Sequence, residues 1–142
     1  MLSLDTALKL KEAGLDWQPA EHDAFFIPMP DLDERVFLIS DMSVIVEMMG
    51  DDKAITFNGT AEWALDYLVL TEAVWVPNET QLRGLLEEKL VQRGESQPVL
   101  TLASTSDGYF CEISFKKERP RFDAFGASEA YAAALLHVMK NT

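Results

Sequence analysis

The chain of 142 residues contains one cysteine, two histidines and no long apolar run. A membrane-spanning helix needs about 20 consecutive apolar residues, whereas runs such as Val36 to Ile39 and Ala132 to Leu136 are far shorter. The segment from Met1 to Ala13 carries charges within a helical pattern and lacks the basic start and apolar stretch of a signal peptide. Cys111, as the single cysteine, has no partner for an internal disulfide. We therefore expect a cytoplasmic protein that does not enter a membrane.

Glycine and the metal-binding residue types are also sparse. The seven glycines are isolated from one another, so neither a dinucleotide-binding G-x-G-x-x-G loop nor a P-loop can be drawn. The sequence has no C-x-x-C, no H-E-x-x-H and no glycine-containing calcium loop. We expect no nucleotide cofactor and no dedicated metal centre.

Positive charge is scarce in the first half of the chain. There are 24 acidic and 12 basic side chains, giving a formal charge of −12, and residues 1–77 alone carry −11 while residues 78–142 carry −1. Such a charge repels phosphate backbones, so nucleic acid is a poor candidate partner. The exception is a basic cluster around Pro120, which we interpret as a solvated turn; it consists of Lys116, Lys117, Arg119 and Arg121.

The composition is that of a folded domain. Apolar residues make up 48% of the chain and charged residues 25%, which is enough for a core and too balanced for disorder. We expect one α+β domain over residues 1–142, either undivided or built of two sub-blocks that meet near residues 77–78.

The first half predicts short elements. Ser3 is placed to cap a helix that ends near Gly14, and an extended connector follows to residue 33. Strands are predicted at 36–39 and 73–76, with a hairpin formed by 44–49 and 54–57. Thr60 is placed to cap a buried helix in which Trp63, Tyr67 and Leu70 recur at helical spacing.

The second half predicts the order α-β-β-β-α. Asn78 and Gln81 stand at capping-box positions of a helix that ends at Gly94. Two strands, 99–104 and 109–115, flank a polar turn with the Asp107-Gly108 pair; a third follows at 121–125, and Ser128 is placed to cap the last helix. Tight turns between consecutive strands favour mostly antiparallel sheet with helices on one face.

Candidate reactive groups are few. Nucleophilic catalysis needs a base beside a Ser, Cys or Thr, yet His137 lies near a helix end and Cys111 on the inward face of a strand, so we interpret both as structural. The densest oxygen ligands are Asp31, Asp33, Glu34, Asp41, Asp51 and Asp52, which we interpret first as a solvated acidic surface. The candidate ligand cluster for an enzyme or ligand-binding site comprises His22, Asp23, Asp31, Asp33 and Asp41.

Two resemblances accompany these patterns. The arrangement of residues 78–142 is similar to that of double-stranded RNA-binding domains and of HicB-type antitoxins, but the last helix begins Ser128-Glu129-Ala130-Tyr131 without the lysines that grip phosphates. Over the whole chain, the segments 2–15, 62–67 and 128–136 resemble a family of small uncharacterised bacterial proteins, some of them labelled pilus assembly proteins. This family implies no catalytic residues for the chain.

The leading hypothesis is a non-enzymatic, cytoplasmic protein-interaction module. Its three tryptophans, Trp17, Trp63 and Trp75, are of a residue type enriched at binding hot spots, and the expected partner is another protein. One alternative is a small-ligand or metal-dependent enzyme that uses the candidate ligand cluster, which predicts a pocket holding several of those side chains. Another is a weak RNA-binding or antitoxin-like module that depends on the basic cluster. The oligomeric state is left open by the sequence.

Overall fold

The fold was taken from a computed structural model that describes residues 1–30, 32–39, 44–49, 52–57, 67–69 and 72–141. Within these ranges the protein is α+β with antiparallel sheets, which confirms the predicted class. The helices are α1 (Leu4–Glu12), α2 (Glu79–Gln92) and α3 (Ala127–Lys140), and the strands are β1 (Ala24–Phe26), β2 (Val36–Leu38), β3 (Val44–Met49), β4 (Asp52–Phe57), β5 (Tyr67–Val69), β6 (Val74–Val76), β7 (Leu100–Thr105), β8 (Gly108–Ile113) and β9 (Arg121–Ala124).

The chain divides into two compact units. One, here called the helical unit, combines Met1–Leu15 with Pro77–Thr142, and the other, the acidic unit, is Asp16–Val76. The acidic unit carries 13 acidic and two basic side chains, so almost all of the net charge of −12 belongs to it. The first helix therefore belongs with the C-terminal half of the chain.

The acidic unit contains a sheet in the order β2-β1-β6, antiparallel throughout. Phe25, at the centre of the middle strand, pairs with Phe37 on one side and Trp75 on the other. The connector predicted as merely extended thus supplies the central strand of this sheet. Its core contains Phe25, Ile27, Ile39 and Ala73, with Trp17, Leu32 and Phe37 packed against it.

A second sheet in this unit has the order β3-β4-β5. Its β3–β4 hairpin agrees with the predicted pairing, since Val44 lies opposite Phe57 and Met49 opposite Asp52. The helix predicted from Thr60 is wrong at its C-terminal end, because Tyr67–Val69 is a strand that pairs with β4. Thr60 and Trp63 lie outside the described residues.

The helical unit begins its second part as predicted. The Asn78 side chain accepts a hydrogen bond from the backbone of Gln81 at 2.9 Å, and the Gln81 side chain accepts one from the backbone of Asn78 at 2.9 Å. This reciprocal capping box satisfies two amides that have no partner inside the helix. Helix α2 then buries one face, comprising Leu82, Leu86 and Leu90.

The order α2-β7-β8-β9-α3 confirms the predicted arrangement of this half. Strands β7, β8 and β9 form an antiparallel sheet, and because side chains alternate along a strand, Cys111 and Ile113 share one face while Phe110 and Glu112 share the other. Helix α3 packs on the Cys111 face, where its apolar side is buried. The opposite face leaves Thr101, Thr105, Arg121 and Asp123 exposed.

The start of α3 differs from the prediction. Gly126 is the N-cap residue and makes no side-chain capping bond, whereas Ser128, predicted to be the cap, is buried within the first turn. The helix is anchored instead through Glu129. Its carboxylate accepts hydrogen bonds from the Ser3 backbone amide at 2.9 Å and from the Thr6 hydroxyl at 2.7 Å. Because Ser3 also caps α1 through the Thr6 amide, one carboxylate ties the two helix starts together.

Candidate functional site

The predicted ligand His22 lies on the surface of the acidic unit. Its backbone has a positive φ of 74°, and its amide donates to the Ile39 carbonyl at 2.8 Å. The ring lies 3.6 Å from Glu21, and the two side chains are 82% and 52% exposed. An ion pair this exposed contributes little to stability. The backbone of the turn therefore fixes the position of His22, and its ring contacts Glu21, the preceding residue.

Asp23 has a structural role in the same turn. It is buried, and its Oδ2 accepts hydrogen bonds from Trp17 Nε1 at 2.9 Å and from the Ala20 amide at 3.0 Å. A buried carboxylate requires such donors, because burial without them is costly. Asp23 thus closes the connector around the Trp17 ring.

The remaining predicted ligands do not complete a site in the described part of the chain. Asp33 is half-buried in a turn, where its amide donates to Met29 at 2.9 Å. Asp31 and Asp41 lie outside the described residues. Among the residues that the structure describes, no three His, Cys, Asp or Glu side chains are grouped so that they could hold a metal ion. The predicted roles of Asp31 and Asp41 in the candidate ligand cluster therefore stay predictions.

Cys111 and His137 are both packed against aromatic or apolar groups. Burial raises the pKa of the Cys111 thiol to about 11, so the reactive thiolate is scarce at neutral pH. The His137 ring lies 5.9 Å from the Phe115 ring and 5.2 Å from the Phe122 ring. These positions agree with the structural interpretation of both residues.

Two of the three tryptophans belong to an aromatic cluster inside the acidic unit. Trp17 and Trp75 stack at 6.2 Å with their planes 7° apart, and Trp17 also meets Phe25 at 5.8 Å. The Trp75 Nε1 atom is buried and has no acceptor among the described residues. Trp17 and Trp75 therefore pack within the acidic unit as part of its folded structure. Trp63 lies outside the described residues.

The four residues of the basic cluster do not form one uniform cationic surface, because two of the side chains already contact other groups of the chain. Lys116 and Lys117 both have positive φ, 53° and 66°, in the tight turn where Phe115 pairs with Glu118. The Lys116 ammonium lies 5.4 Å from the centre of the Phe115 ring. Arg121 belongs to β9 and already has an acidic partner.

Arg121, Asp123 and Phe110 form a compact arrangement on the open face of the sheet. The guanidinium lies 3.7 Å from the centre of the Phe110 ring, and its Nη2 and Nε atoms donate to Asp123 at 2.9 and 3.2 Å. Hydrogen bonding to Asp123 raises the pKa of Arg121 further. The cation is thus held by an aromatic ring and a carboxylate together, a combination suited to guanidinium groups.

A small cavity lies beside this arrangement, at the end of the sheet that carries the β7–β8 turn. Its volume is about 270 Å³. Phe125, directly after β9, is 95% exposed at this cavity, and Asp107 contributes from the turn. We call this the turn-end groove; it is lined by Thr105, Asp107, Tyr109, Arg121, Asp123, Ala124 and Phe125.

The turn that builds the groove depends on a glycine. Gly108 has φ +126°, and a Cβ atom there would lie 2.7 Å from the Ala124 carbonyl oxygen and 3.3 Å from the Phe125 Cα. The turn therefore lies directly on the end of β9. Thr105 Oγ1 accepts from the Asp107 amide at 3.2 Å and donates to the Gly108 carbonyl at 3.2 Å, which fixes the turn further.

The sequence predicts the turn but not the groove. The Asp107-Gly108 pair predicts the hairpin, while the predicted third strand, 121–125, includes Phe125, and the alternation of side chains gives no reason to single that residue out. The available signal was Gly126 directly after Phe125: Gly126 is the N-cap residue of α3, so Phe125 lies between the end of β9 and the start of the helix. The groove offers an exposed ring and carboxylates, which together can bind a cation.

Comparison with known proteins adds no relative. No family model, no curated protein and no solved structure matches the chain. Among the described residues, no helix has the length and apolar character needed to span a membrane.

Proposed function

We propose that this chain is a non-enzymatic protein-interaction module of the cytoplasm, and that the turn-end groove belongs to its contact surface. One observation carries the proposal: Phe125 is 95% exposed. Exposure of a large apolar ring to water is unfavourable in free energy, and burial against a partner removes that cost. Aromatic residues are enriched at the centres of protein interfaces.

The charge of the chain supports a protein partner over a nucleic acid. The acidic unit carries −11, which attracts basic proteins and repels phosphate backbones. Arg121, the basic residue that borders the groove, is paired with Asp123. As part of this proposal, we keep the resemblance to a family of small uncharacterised bacterial proteins. That family implies no catalytic residues for the chain.

The enzyme alternative has less support in the described residues. Cys111 is buried and its pKa is raised to about 11, while the His22 ring lies in solvent beside Glu21. A nucleophile needs a base within hydrogen-bond reach and access to its substrate, and the buried Cys111 thiol lacks that access. Asp23 of the candidate ligand cluster already accepts hydrogen bonds from Trp17 and the Ala20 amide.

The proposal is tested by site-specific photo-crosslinking in the native host. A photoreactive phenylalanine analogue replaces Phe125, and a matched chain carries it at Val91, which is 54% exposed on α2 of the same unit. We expect a defined protein adduct from position 125 that is absent from position 91. Equal adduct patterns from the two positions, or recovery of nucleic acid alone, would contradict the proposal.

A further inference from the structure

We infer that the turn-end groove binds an arginine or lysine side chain presented by a basic segment of the partner protein. This inference rests on the proposed function and adds the chemistry of the partner.

The charge of the groove is negative once its internal pair is counted. Arg121 and Asp123 neutralise each other at 2.9 Å. Asp107 also lines the groove, and its carboxylate has no hydrogen-bond or ion-pair partner among the described residues. A carboxylate without an internal partner is available to a cation from outside, and a charged hydrogen bond to it is stronger than a neutral one.

Phe125 supplies the aromatic wall of the same groove. Its exposed ring can contact the alkyl stem of a long basic side chain or the face of a guanidinium. An anionic ligand would gain nothing from the negative face of the ring and would be repelled by Asp107. The pair of groups therefore favours a cation with an apolar stem.

The sheet already contains the same recognition pattern within the chain. Arg121 lies 3.7 Å from the centre of the Phe110 ring while Asp123 accepts its hydrogen bonds. Phe125 and Asp107 add a second ring and a second carboxylate to the same groove, where the Arg121 guanidinium is already paired with Asp123. The incoming side chain would contact this second ring and carboxylate.

The size of the groove points to a single side chain. Its volume of about 270 Å³ lies below the range of roughly 300–1,000 Å³ that is typical of small-molecule and cofactor pockets. The acidic unit, at −11, would increase the encounter rate with a basic partner through long-range attraction. Both observations favour a protein segment that inserts one basic residue.

Binding is tested by amide chemical-shift mapping of the full chain. The probe is a short end-blocked peptide of glycine, serine and arginine, compared with the same peptide carrying glutamine in place of arginine. We expect shifts centred on residues 105–109 and 121–125 with the arginine peptide only, and a Kd on the order of 1 mM for so small a contact. Free arginine and spermidine serve as small cations without a peptide backbone, and stronger binding of either would assign the groove to a metabolite.

Variants identify the groups responsible. Asp107→Asn should weaken binding of the arginine peptide by roughly tenfold, as expected from the loss of one charged hydrogen bond, and Phe125→Ser should weaken it at least threefold. Glu12→Gln is the matched control, because Glu12 is exposed on α1 of the same unit and its substitution changes the net charge equally. An unchanged amide spectrum outside the groove verifies that each variant is folded.

The outcomes separate this inference from the proposed function. Equal weakening by Asp107→Asn and Glu12→Gln, or shifts that lie outside the groove, would overturn the assignment of a basic side chain to it. If photo-crosslinking from position 125 still gave a defined protein, the interaction function would stand with a different contact chemistry. If both experiments failed, both proposals would be wrong.

Discussion

Thr6 and Glu129 are joined by a hydrogen bond of 2.7 Å across 123 positions of sequence. The same carboxylate accepts from the Ser3 amide at 2.9 Å, so the N-terminus of α1 is fixed to the first turn of α3. Glu129 also lies where the helix dipole favours negative charge. Through this contact the first 15 residues become part of a unit whose other residues begin at Pro77.

Glu129→Ala should lower the free energy of unfolding of the helical unit by about 1–3 kcal/mol, because it leaves a part-buried hydroxyl and an amide without their acceptor. All helices among the described residues belong to this unit, and all three tryptophans belong to the acidic unit. In urea unfolding, the far-ultraviolet helical signal therefore follows α1, α2 and α3 of this unit, while tryptophan fluorescence follows the acidic unit.

A double-mutant cycle separates the contact from the helix-dipole effect. Thr6→Val keeps the shape of the side chain and removes its hydroxyl, so the two substitutions together should cost less than the sum of their separate effects. Glu12→Ala serves as the control for removal of a carboxylate. Strict additivity of Thr6→Val and Glu129→Ala would show that the hydrogen bond contributes no coupling energy.

Two glycine substitutions in the helical unit should act in opposite directions. Gly108→Ala forces a positive φ on alanine and brings its Cβ to 2.7 Å from the Ala124 carbonyl oxygen, which should cost about 1–3 kcal/mol. Gly84→Ala lies inside α2, where a Cβ has nothing within 4 Å, and it should stabilise by about 0.5–1 kcal/mol.

Urea midpoints of the helical signal measure both glycine variants. Because the chemical change is identical, a general effect of alanine on the unfolded chain is the same in each, and the difference in sign isolates the local conformation. A Gly108→Ala chain as stable as the parent would mean that the β7–β8 turn relaxes away from the end of β9.

The sequence predicts an element correctly where a short stretch of neighbouring residues determines its structure. Asn78 and Gln81 define the start of α2 within four positions, and the Asp107-Gly108 turn defines a hairpin. The prediction is wrong where pairing with a strand distant in sequence determines the secondary structure. Tyr67 matches a helical spacing with its neighbours, yet it pairs with Thr56 of β4, a contact that helical periodicity cannot reveal.

The candidate site was harder to predict than the fold. The sequence drew attention to carboxylates near His22 because they are close along the chain, whereas Asp23 is occupied by Trp17 and the Ala20 amide. Asp107 and Phe125 are 18 positions apart and meet at one groove only because Gly108 lets the turn lie against β9. A close approach of this kind leaves little mark in composition or periodicity.

The buried thiol should make stability fall at alkaline pH. The pKa of Cys111 is raised from the ordinary 9.0 to about 11 by burial, so between these values the unfolded chain releases a proton that the folded chain retains. Ionisation then favours the unfolded state, and the contribution is fully present below pH 9 and is lost as the pH rises towards 11. The loss should reach about 2–3 kcal/mol.

Urea unfolding of the helical unit at several pH values measures this effect. Cys111→Ala should flatten the decline between pH 9 and 11 whatever its effect at neutral pH, while a smaller decline persists because burial also raises the pKa of Tyr131. In the parent protein at pH 8, a thiol reagent should react with Cys111 only at the rate of unfolding. Rapid modification of the folded chain would contradict its burial.

Phe125 should be dispensable for folding and required for binding. At 95% exposure the ring buries almost no surface, so Phe125→Ser should change the free energy of unfolding by less than about 0.5 kcal/mol. Phe115→Ala is the contrasting variant, because that ring is 3% exposed and truncation of a buried phenylalanine costs about 3–5 kcal/mol. Helical-signal unfolding curves compare the two, and the arginine-peptide titration is repeated on Phe125→Ser. Stability retained together with binding lost would identify the ring as a contact residue, whereas a large loss of stability would mean that Phe125 is part of the folded core and would remove the observation on which the proposed interface rests.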